Sequence, residues 1–218
     1  MTYIAFIENE IRKIPVGIPI YTSKLSSELA ANYNLNFNDA SAATSVAIKR
    51  IIDSNLIDEL RFYQKGIYYR TSVTPFGEVK IDRQCLIEDK YLQPDKGYET
   101  GISFLNRIGL TTQIPRDETI ATNMAKDCSR IDKRLGVVIK PPKTTINSDN
   151  INYLQILDAL ELIDNTPVDV DNPFEIIAKY IKEQGLKYEK LLYIADCYYN
   201  KKTIIQLAHT AGQGGYLI

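Results

Sequence analysis

The order of helix and strand signals in residues 1–75 constrains the fold more than any other feature of this chain. Four isoleucines at helical spacing predict an amphipathic helix over residues 2–14, which Pro15 and Gly17 end. A short extended segment follows, then two more helices, and then an aromatic-rich β-hairpin over residues 61–70. Helix, strand, helix, helix, hairpin is the element order of a winged helix–turn–helix.

The second and third helices each show a cap and an apolar stripe. Thr22 or Ser23 is predicted to cap the second helix. A turn and a cap at residues 36–39 precede the third helix, which is predicted over about residues 40–54. The buried stripes are predicted to be Leu25, Leu29 and Tyr33 in the second helix, and Val46, Ile48, Ile51 and Ile52 in the third.

Residues 76–218 are expected to form a second domain of mixed α/β structure with a helical C-terminal part, so the whole chain is of the α+β class. Its predicted elements are helices over residues 80–91, 97–109, 150–164, 187–199 and 202–210, a helix opened by Pro173, and strands over residues 110–114, 118–122 and 136–140. Residues 212–215 are expected to be a flexible tail. They are not a phosphate loop, because no strand precedes them.

Composition excludes several classes of protein. No apolar run reaches the ~18–20 residues that span a bilayer, and the N-terminal segment has no basic region of a signal peptide, so we expect a cytoplasmic protein without membrane contact. Cys85, Cys128 and Cys197 lie far apart, which suits a reducing compartment and predicts inert, semi-buried thiols. His209 is the only histidine, which excludes sites that need two imidazoles. We expect no metal, no cofactor and no enzymatic activity.

Charge is distributed unevenly along the chain, although the net charge is only −1. Residues 1–75 hold eight basic and seven acidic residues. Residues 126–143 hold six basic and two acidic residues, whereas residues 149–175 hold seven acidic residues and no Lys or Arg. This succession indicates either a polarised second domain or two unrelated solvated faces, and it leaves open whether residues 126–143 contact DNA.

The third helix carries the strongest signal for a DNA-binding site. A recognition helix needs short polar side chains near its N-terminus, so that its backbone can sink into the major groove. Ser41, Thr44 and Ser45 meet that description, and Lys49 and Arg50 lie further along, where phosphates would be. The second helix and the hairpin add the candidates Thr22, Ser23, Lys24, Arg61, Gln64, Lys65 and Arg70. The alternative is that this unit serves as a protein-interaction module.

Two other patterns have a structural explanation beside the functional one. The hairpin aromatics Phe62, Tyr63, Tyr68 and Tyr69 could stack on single-stranded nucleic acid, but alternation along a strand favours core packing for about half of them. Asp169 and Asp171 could hold Mg²⁺ in a nucleotidyl-transfer site. They also precede a helix that starts at Pro173, where capping and the helix dipole explain acids without a metal.

One segment has a specific resemblance to a known family. Residues 96–115 read K-G-Y-E-T-G-I-S-F-L-N-R-I-G-L-T-T-Q-I-P, which is similar to the segment G-Y…A-L…L-G-L-T-T-Q-V-P of the AbiEi family. Residues 48–52 and the run Gly66-Ile67-Tyr68-Tyr69 resemble the end of that family's recognition helix and its R-G-x-Y-Y wing. The wing departs from the pattern in having Lys65 where arginine is commoner. The resemblance covers about residues 3–122.

AbiEi proteins are antitoxin-regulators of type IV toxin–antitoxin, or abortive infection, systems, which act in phage defence. The resemblance implies a bacterial repressor that binds an inverted repeat in its own operator. It also implies that residues 76–218 counteract a toxin of the nucleotidyltransferase class without forming a stable complex with it. Two alternatives stay open. One is a stand-alone winged-helix regulator with a C-terminal sensor or oligomerisation domain, and the other is a Mg²⁺-dependent nucleotidyltransferase that uses Asp169 and Asp171.

Overall fold

The computed structural model describes residues 2–214 and has a fold of the mixed α+β class. Contacts within the chain divide it into two compact units, Met1–Leu86 and Ile87–Ile218. The expected functional boundary after residue 75 stays a prediction. Among the described residues, no helix combines the length and the apolar character that crossing a bilayer requires.

The N-terminal unit contains helices α1 (Tyr3–Lys13), α2 (Thr22–Tyr33) and α3 (Phe37–Asp53) and strands β1 (Pro19–Tyr21), β2 (Leu60–Gln64), β3 (Ile67–Arg70), β4 (Val73–Thr74) and β5 (Gly77–Glu78). Helix α4 (Arg83–Tyr91) contains the point of division. The C-terminal unit contains strands β6 (Gly97–Thr100), β7 (Glu118–Thr122), β8 (Arg130–Asp132) and β9 (Val137–Lys140) and helices α5 (Ile102–Arg107), α6 (Ile151–Leu162), α7 (Pro173–Glu183), α8 (Tyr188–Tyr198) and α9 (Lys201–Gln213).

The apolar faces of α1, α2 and α3 build the core of the N-terminal unit. The predicted stripe of α2 is confirmed, because Leu25 and Leu29 are buried and Tyr33 packs against them. The predicted stripe of α3 is wrong at Val46 and Ile52, which are 51% and 44% exposed. The buried residues of α3 are Ala40, Thr44, Ala47, Ile48 and Ile51. The predicted Ile48 and Ile51 are among them, and the other three are smaller than the residues that were predicted to face the core. Small side chains let α1 and α2 approach α3 closely. A prediction that considers only whether a residue is apolar does not take this need for small side chains into account.

The starts of α2 and α3 differ from the predicted ones. Helix α2 begins at Thr22 itself, and its N-cap residue Tyr21 makes no side-chain cap, so neither Thr22 nor Ser23 caps this helix. Helix α3 begins three residues before the predicted start, because Asn36 is the N-cap: its Oδ1 accepts the Asp39 N–H at 2.9 Å. The first turn of α3 therefore carries side chains that the sequence analysis assigned to a turn.

The predicted hairpin is confirmed, and β1 joins it in a sheet with the strand order β1-β3-β2. Tyr68 in the central strand lies opposite Ile20 of β1 and Phe62 of β2, in antiparallel register on both sides. Gly66 in the hairpin turn has φ +82°, a backbone conformation that residues with a β-carbon rarely adopt. A second, shorter hairpin, β4–β5, was not predicted from the sequence, and Phe76 at this hairpin is fully exposed.

The C-terminal unit contains a sheet with the order β6-β7-β9-β8, in which β7 and β9 are parallel and the other pairs antiparallel. The predicted strands over residues 118–122 and 136–140 are confirmed. The helix predicted over residues 97–109 is wrong in its first part, which forms β6. A β-carbon at Gly97 would lie 2.5 Å from the Ala121 carbonyl oxygen, so a glycine is required where these two strands approach. Residues 110–114 form no strand.

The helices predicted for the last third of the chain are confirmed as α6, α7, α8 and α9. Asn172 caps α7 by accepting the Glu175 N–H, and Pro173 is its first residue, as predicted. Helix α6 is buried along most of its length and is the centre of the hydrophobic core of this unit. The expected flexible tail is partly wrong, because Gly212 belongs to α9, and Gly215 lies outside the described residues.

Candidate nucleic-acid interface

Helix α3 presents a line of exposed side chains opposite its buried face. The line follows spacings of four, three and four residues, which keep one side of an α-helix, and it consists of Asn38, Ala42, Ser45 and Lys49. From the first turn onward, this side of α3 therefore presents in order an amide, a methyl group, a hydroxyl and an ammonium group. Groups of these types contact base edges and phosphates in the major groove.

Thr44 does not belong to this line, and the prediction that it contacts DNA is wrong. Its residue is 0% exposed, and its Oγ1 has no hydrogen-bond partner in the described part of the chain. Ser45 is exposed and donates its hydroxyl to the Ser41 carbonyl oxygen at 2.9 Å. This bond leaves the lone pairs of the Ser45 oxygen for a ligand.

The start of α2 and the turn of the β2–β3 hairpin are joined by a backbone hydrogen bond. The Thr22 N–H donates to the Gly66 carbonyl oxygen at 2.9 Å. Lys65 precedes Gly66 and Lys24 lies in the first turn of α2, so this bond brings two exposed cations to one region. Because Tyr21 provides no side-chain cap, the N–H groups of Ser23 and Lys24 are left for water or for an anion.

The predicted cations divide into two groups by their partners. Lys24, Lys49, Arg50 and Lys65 are exposed, and none of them forms an ion pair within residues 2–214. Arg61 instead pairs with Glu78 at 2.9 Å, and Arg70 donates to the carbonyl oxygens of Arg12 and Ile14 at 2.8 and 3.1 Å. Arg61 and Arg70 therefore stabilise the position of the hairpin by binding neighbouring residues of the N-terminal unit. The side chains of Lys24, Lys49, Arg50 and Lys65 are available to phosphates.

Arg50 lies to one side of the exposed line of α3. It borders a groove of about 260 Å³ between α1 and α3 whose walls are apolar. Tyr3, Ile4 and Val46 contribute to those walls. A phosphate contact by Arg50 would thus occur at the flank of α3 and not along the line that starts at Asn38.

The hairpin aromatics do not form a continuous stacking surface. Tyr68 packs against the core of the N-terminal unit, as expected of a core partner, and Tyr63 and Tyr69 are half-buried. Phe62 is 63% exposed and meets Tyr68 edge-on, with 5.5 Å between the ring centroids. A single exposed ring at the edge strand β2 does not reproduce the series of parallel rings on which single-stranded bases stack.

Asp169 in the Asp-x-Asp pair has a structural role. Its carboxylate accepts the Thr112 N–H at 2.5 Å and the Thr112 hydroxyl at 2.7 Å, and its own N–H donates to Leu110. These bonds hold the pKa of Asp169 below its usual value, first the backbone N–H of Thr112 and then the hydroxyl. No cluster of three potential metal ligands occurs in the part of the chain that the structure describes.

Helix α6 contains a buried carboxylate that was not predicted from the sequence. Asp158 is 1% exposed and accepts hydrogen bonds from the hydroxyls of Tyr98, Thr100 and Tyr199 at 3.2, 3.0 and 2.8 Å. The Lys140 ammonium group lies 2.8 Å from the same carboxylate. An acid between apolar neighbours, in Ile-Leu-Asp-Ala-Leu, was the available signal, because such an acid must be paired when the helix around it is buried. Burial and the nearby Asp158 charge raise the pKa of both Tyr98 and Tyr199.

Most residues of the segment 96–115 have a place in the fold. Tyr98 and Thr100 bind Asp158, Phe104 and Leu105 are in the core, and Thr112 binds Asp169. Ile114 is the exception, since it is 87% exposed.

The single histidine and two of the cysteines are exposed. His209 is exposed on α9, with its ring 5.2 Å from that of Phe174. Cys128 and Cys197 are exposed, not semi-buried as predicted.

Comparison of this chain with protein-family models, with curated proteins and with solved structures finds no match. The geometry of the two units and the sequence itself are therefore the basis for an assignment of function.

Proposed function

We propose that residues 2–75 form a winged helix–turn–helix that binds double-stranded DNA, with α3 as the recognition helix and the β2–β3 hairpin as the wing. The observation that carries this proposal is the arrangement of the hairpin. Its inner strand β3 pairs with β1, so the turn lies beside the start of α2. The start of α2, the β2–β3 hairpin and α3 therefore belong to one small unit that shares one hydrophobic core.

The distribution of charge supports the same proposal. Within residues 2–75, four cations are exposed and form no ion pair with another residue of the range 2–214: Lys24 on α2, Lys49 and Arg50 on α3, and Lys65 at the hairpin turn. These are the three elements that a winged helix places against a duplex. Lys49 stands on the exposed line of α3, after the short side chains of Ala42 and Ser45. Short side chains allow the helix backbone to approach the bases, and a lysine one turn further reaches the phosphates.

The test is a fluorescence-anisotropy titration of the whole chain against a duplex from the region upstream of its own reading frame. Replacing Lys49 and Arg50 with alanine should weaken binding to this duplex and to random duplexes alike, and should lower the slope of log K against log salt by about 1 for each phosphate that the variant no longer neutralises. Lys13→Ala is the matched control, because Glu10 already pairs this cation at 2.6 Å. An unchanged affinity and salt slope in the double variant would contradict the role of α3.

We further propose that the chain is the antitoxin and autorepressor of a type IV toxin–antitoxin operon, in the cytoplasm, and is not an enzyme. The similarity of residues 96–115 and of the hairpin to the AbiEi pattern supports this proposal. The bonds from Thr112 to Oδ2 of Asp169 also support it over nucleotidyl transfer, because they explain the presence of this carboxylate by its role in the fold, without a metal. Co-expression with the adjacent reading frame tests it. Restored growth is the expected result, and the stand-alone regulator predicts no protection.

A further inference from the structure

Asn38 occupies a special position on the exposed line of α3. It lies in the first turn of this helix and is exposed, and within residues 2–214 its side chain makes no hydrogen bond. Its neighbours differ in this respect. Asn36 uses its Oδ1 as the cap, and its Nδ2 donates to the Asp39 carboxylate at 2.6 Å. Asn38 is thus the amide of this turn that is available to a ligand.

The capping bonds around Asn38 hold the start of α3 in a fixed conformation. Asn36 and Asp39 form two reciprocal bonds, at 2.9 and 2.6 Å, so the first turn is closed on both sides of Asn38. A side chain on a closed turn loses less conformational freedom on binding than one on a fraying end. Ala42, one turn further on the same line, has a small side chain that leaves room for the edge of a base pair.

The chemistry of the exposed line separates base reading from phosphate binding. A carboxamide offers one acceptor and one donor side by side, which match N6 and N7 of adenine in the major groove. The hydroxyl of Ser45 can donate to or accept from several bases, and the ammonium group of Lys49 suits phosphates. Because the N-terminal residues of a recognition helix contact the base edges, the carboxamide at residue 38 is placed where bases are read.

We propose that Asn38 reads the operator sequence by a bidentate hydrogen bond to adenine in the major groove. This inference rests on the proposed DNA-binding function and adds to it the base that one residue selects. Asn38 does not carry the affinity for phosphates, so its removal should change the sequence preference and leave the non-specific binding as it is.

The experiment is selection from a randomised duplex library with the whole native chain and with the Asn38→Ala, Asn38→Gln and Asn32→Ala variants. The native chain is expected to select adenine at one position in each half-site. Asn38→Ala should lower that preference by about 5- to 100-fold, with unchanged affinity for random duplexes. Asn38→Gln should keep part of it, because a longer carboxamide offers the same two groups. Asn32→Ala, at an exposed asparagine of α2, is the control and should select as the native chain does.

The outcomes separate the two proposals. If Asn38→Ala selects the same base at every position, Asn38 does not read the sequence, while DNA binding by this unit stands. If the native chain selects a base other than adenine at the position that Asn38 controls, the assignment of adenine is wrong. If the native chain binds no duplex, the proposed DNA-binding function fails, and the role of Asn38 fails with it. Far-UV circular dichroism of each variant, which should match the native spectrum, shows that helix α3 is intact.

Discussion

A carboxylate that is removed from water needs partners for its charge and for its lone pairs, and Asp158 has both. Lys140 supplies the opposite charge at 2.8 Å, and three hydroxyls donate to the two oxygens. The partners come from β6, from β9 and from the residue after α8, so a single side chain connects three parts of the C-terminal unit. Loss of the carboxylate would leave all of them without their common acceptor.

We therefore expect Asp158→Ala to lower the free energy of unfolding by about 3 kcal/mol, because it leaves the partly buried Lys140 and three hydroxyl donors without their acceptor. Urea denaturation followed by circular dichroism measures this change. Asp171→Ala removes an exposed acid from the same unit and should stay within about 0.5 kcal/mol of the native value. Equal stability of the two variants would show that Asp158 is not required for the fold.

The two tyrosines that bind Asp158 give the stability a dependence on pH. Burial first, and then the charge of Asp158, raise the pKa of Tyr98 and Tyr199 above the usual value of 10. The folded state holds these protons more tightly than the unfolded state, so their contribution to stability is complete below pH 10 and is lost as the pH rises above it.

The expected result is that urea midpoints are constant from pH 7 to about 9.5 and fall steeply above pH 10, at constant ionic strength. A variant with both Tyr98→Phe and Tyr199→Phe carries no ionisable group at these positions. It should start from a lower midpoint, because Asp158 loses two donors, and should show a shallower fall at high pH. The same slope in the variant and in the native chain would refute this explanation.

At the scale of helices and strands, the sequence predicts an element most reliably where its residue pattern fits only one type of secondary structure. The isoleucine spacing of α1 and the Asn172-Pro173 start of α7 each have a single local explanation, and both are confirmed. Residues 97–100 are different, since they lie in a segment bounded by glycines that suits a helix or a strand equally well. Pairing with β7 decides in favour of the strand, and that partner is remote in the sequence.

The same reasoning explains which candidate residues survive on α3. Lys49 and Ser45 follow from polarity and spacing and are exposed as predicted. Thr44 is polar too, but its exposure depends on which side of the helix meets α1 and α2. Large apolar residues were predicted on that side of the helix, but the small residues Ala40, Thr44 and Ala47 are buried there. Asn38 was missed because α3 begins at Phe37, three residues before the predicted start, so that Asn38 belongs to the helix and not to the turn before it.

For the whole molecule, the decisive feature is that each unit has its own hydrophobic core. One core lies among α1, α2 and α3 with parts of the sheet, and the other is centred on α6 with its neighbouring helices. Substitutions in separate cores act independently when their sites share no contacts. Under the proposed function, DNA binding belongs to the first unit and protection against the toxin to the second, so single variants should separate the two activities.

The separation can be measured with two variants of the full chain. Replacing Lys49 and Arg50 with alanine should abolish repression of a reporter under the chain's own promoter, yet preserve growth when the toxin is co-expressed, because these side chains lie on the surface of the N-terminal unit. Asp158→Ala should do the reverse: it should weaken protection at 37 °C through its cost of about 3 kcal/mol, while duplex affinity at low temperature stays native. If the surface variant loses protection together with repression, protection depends on DNA binding, and the antitoxin activity cannot be assigned to the C-terminal unit alone.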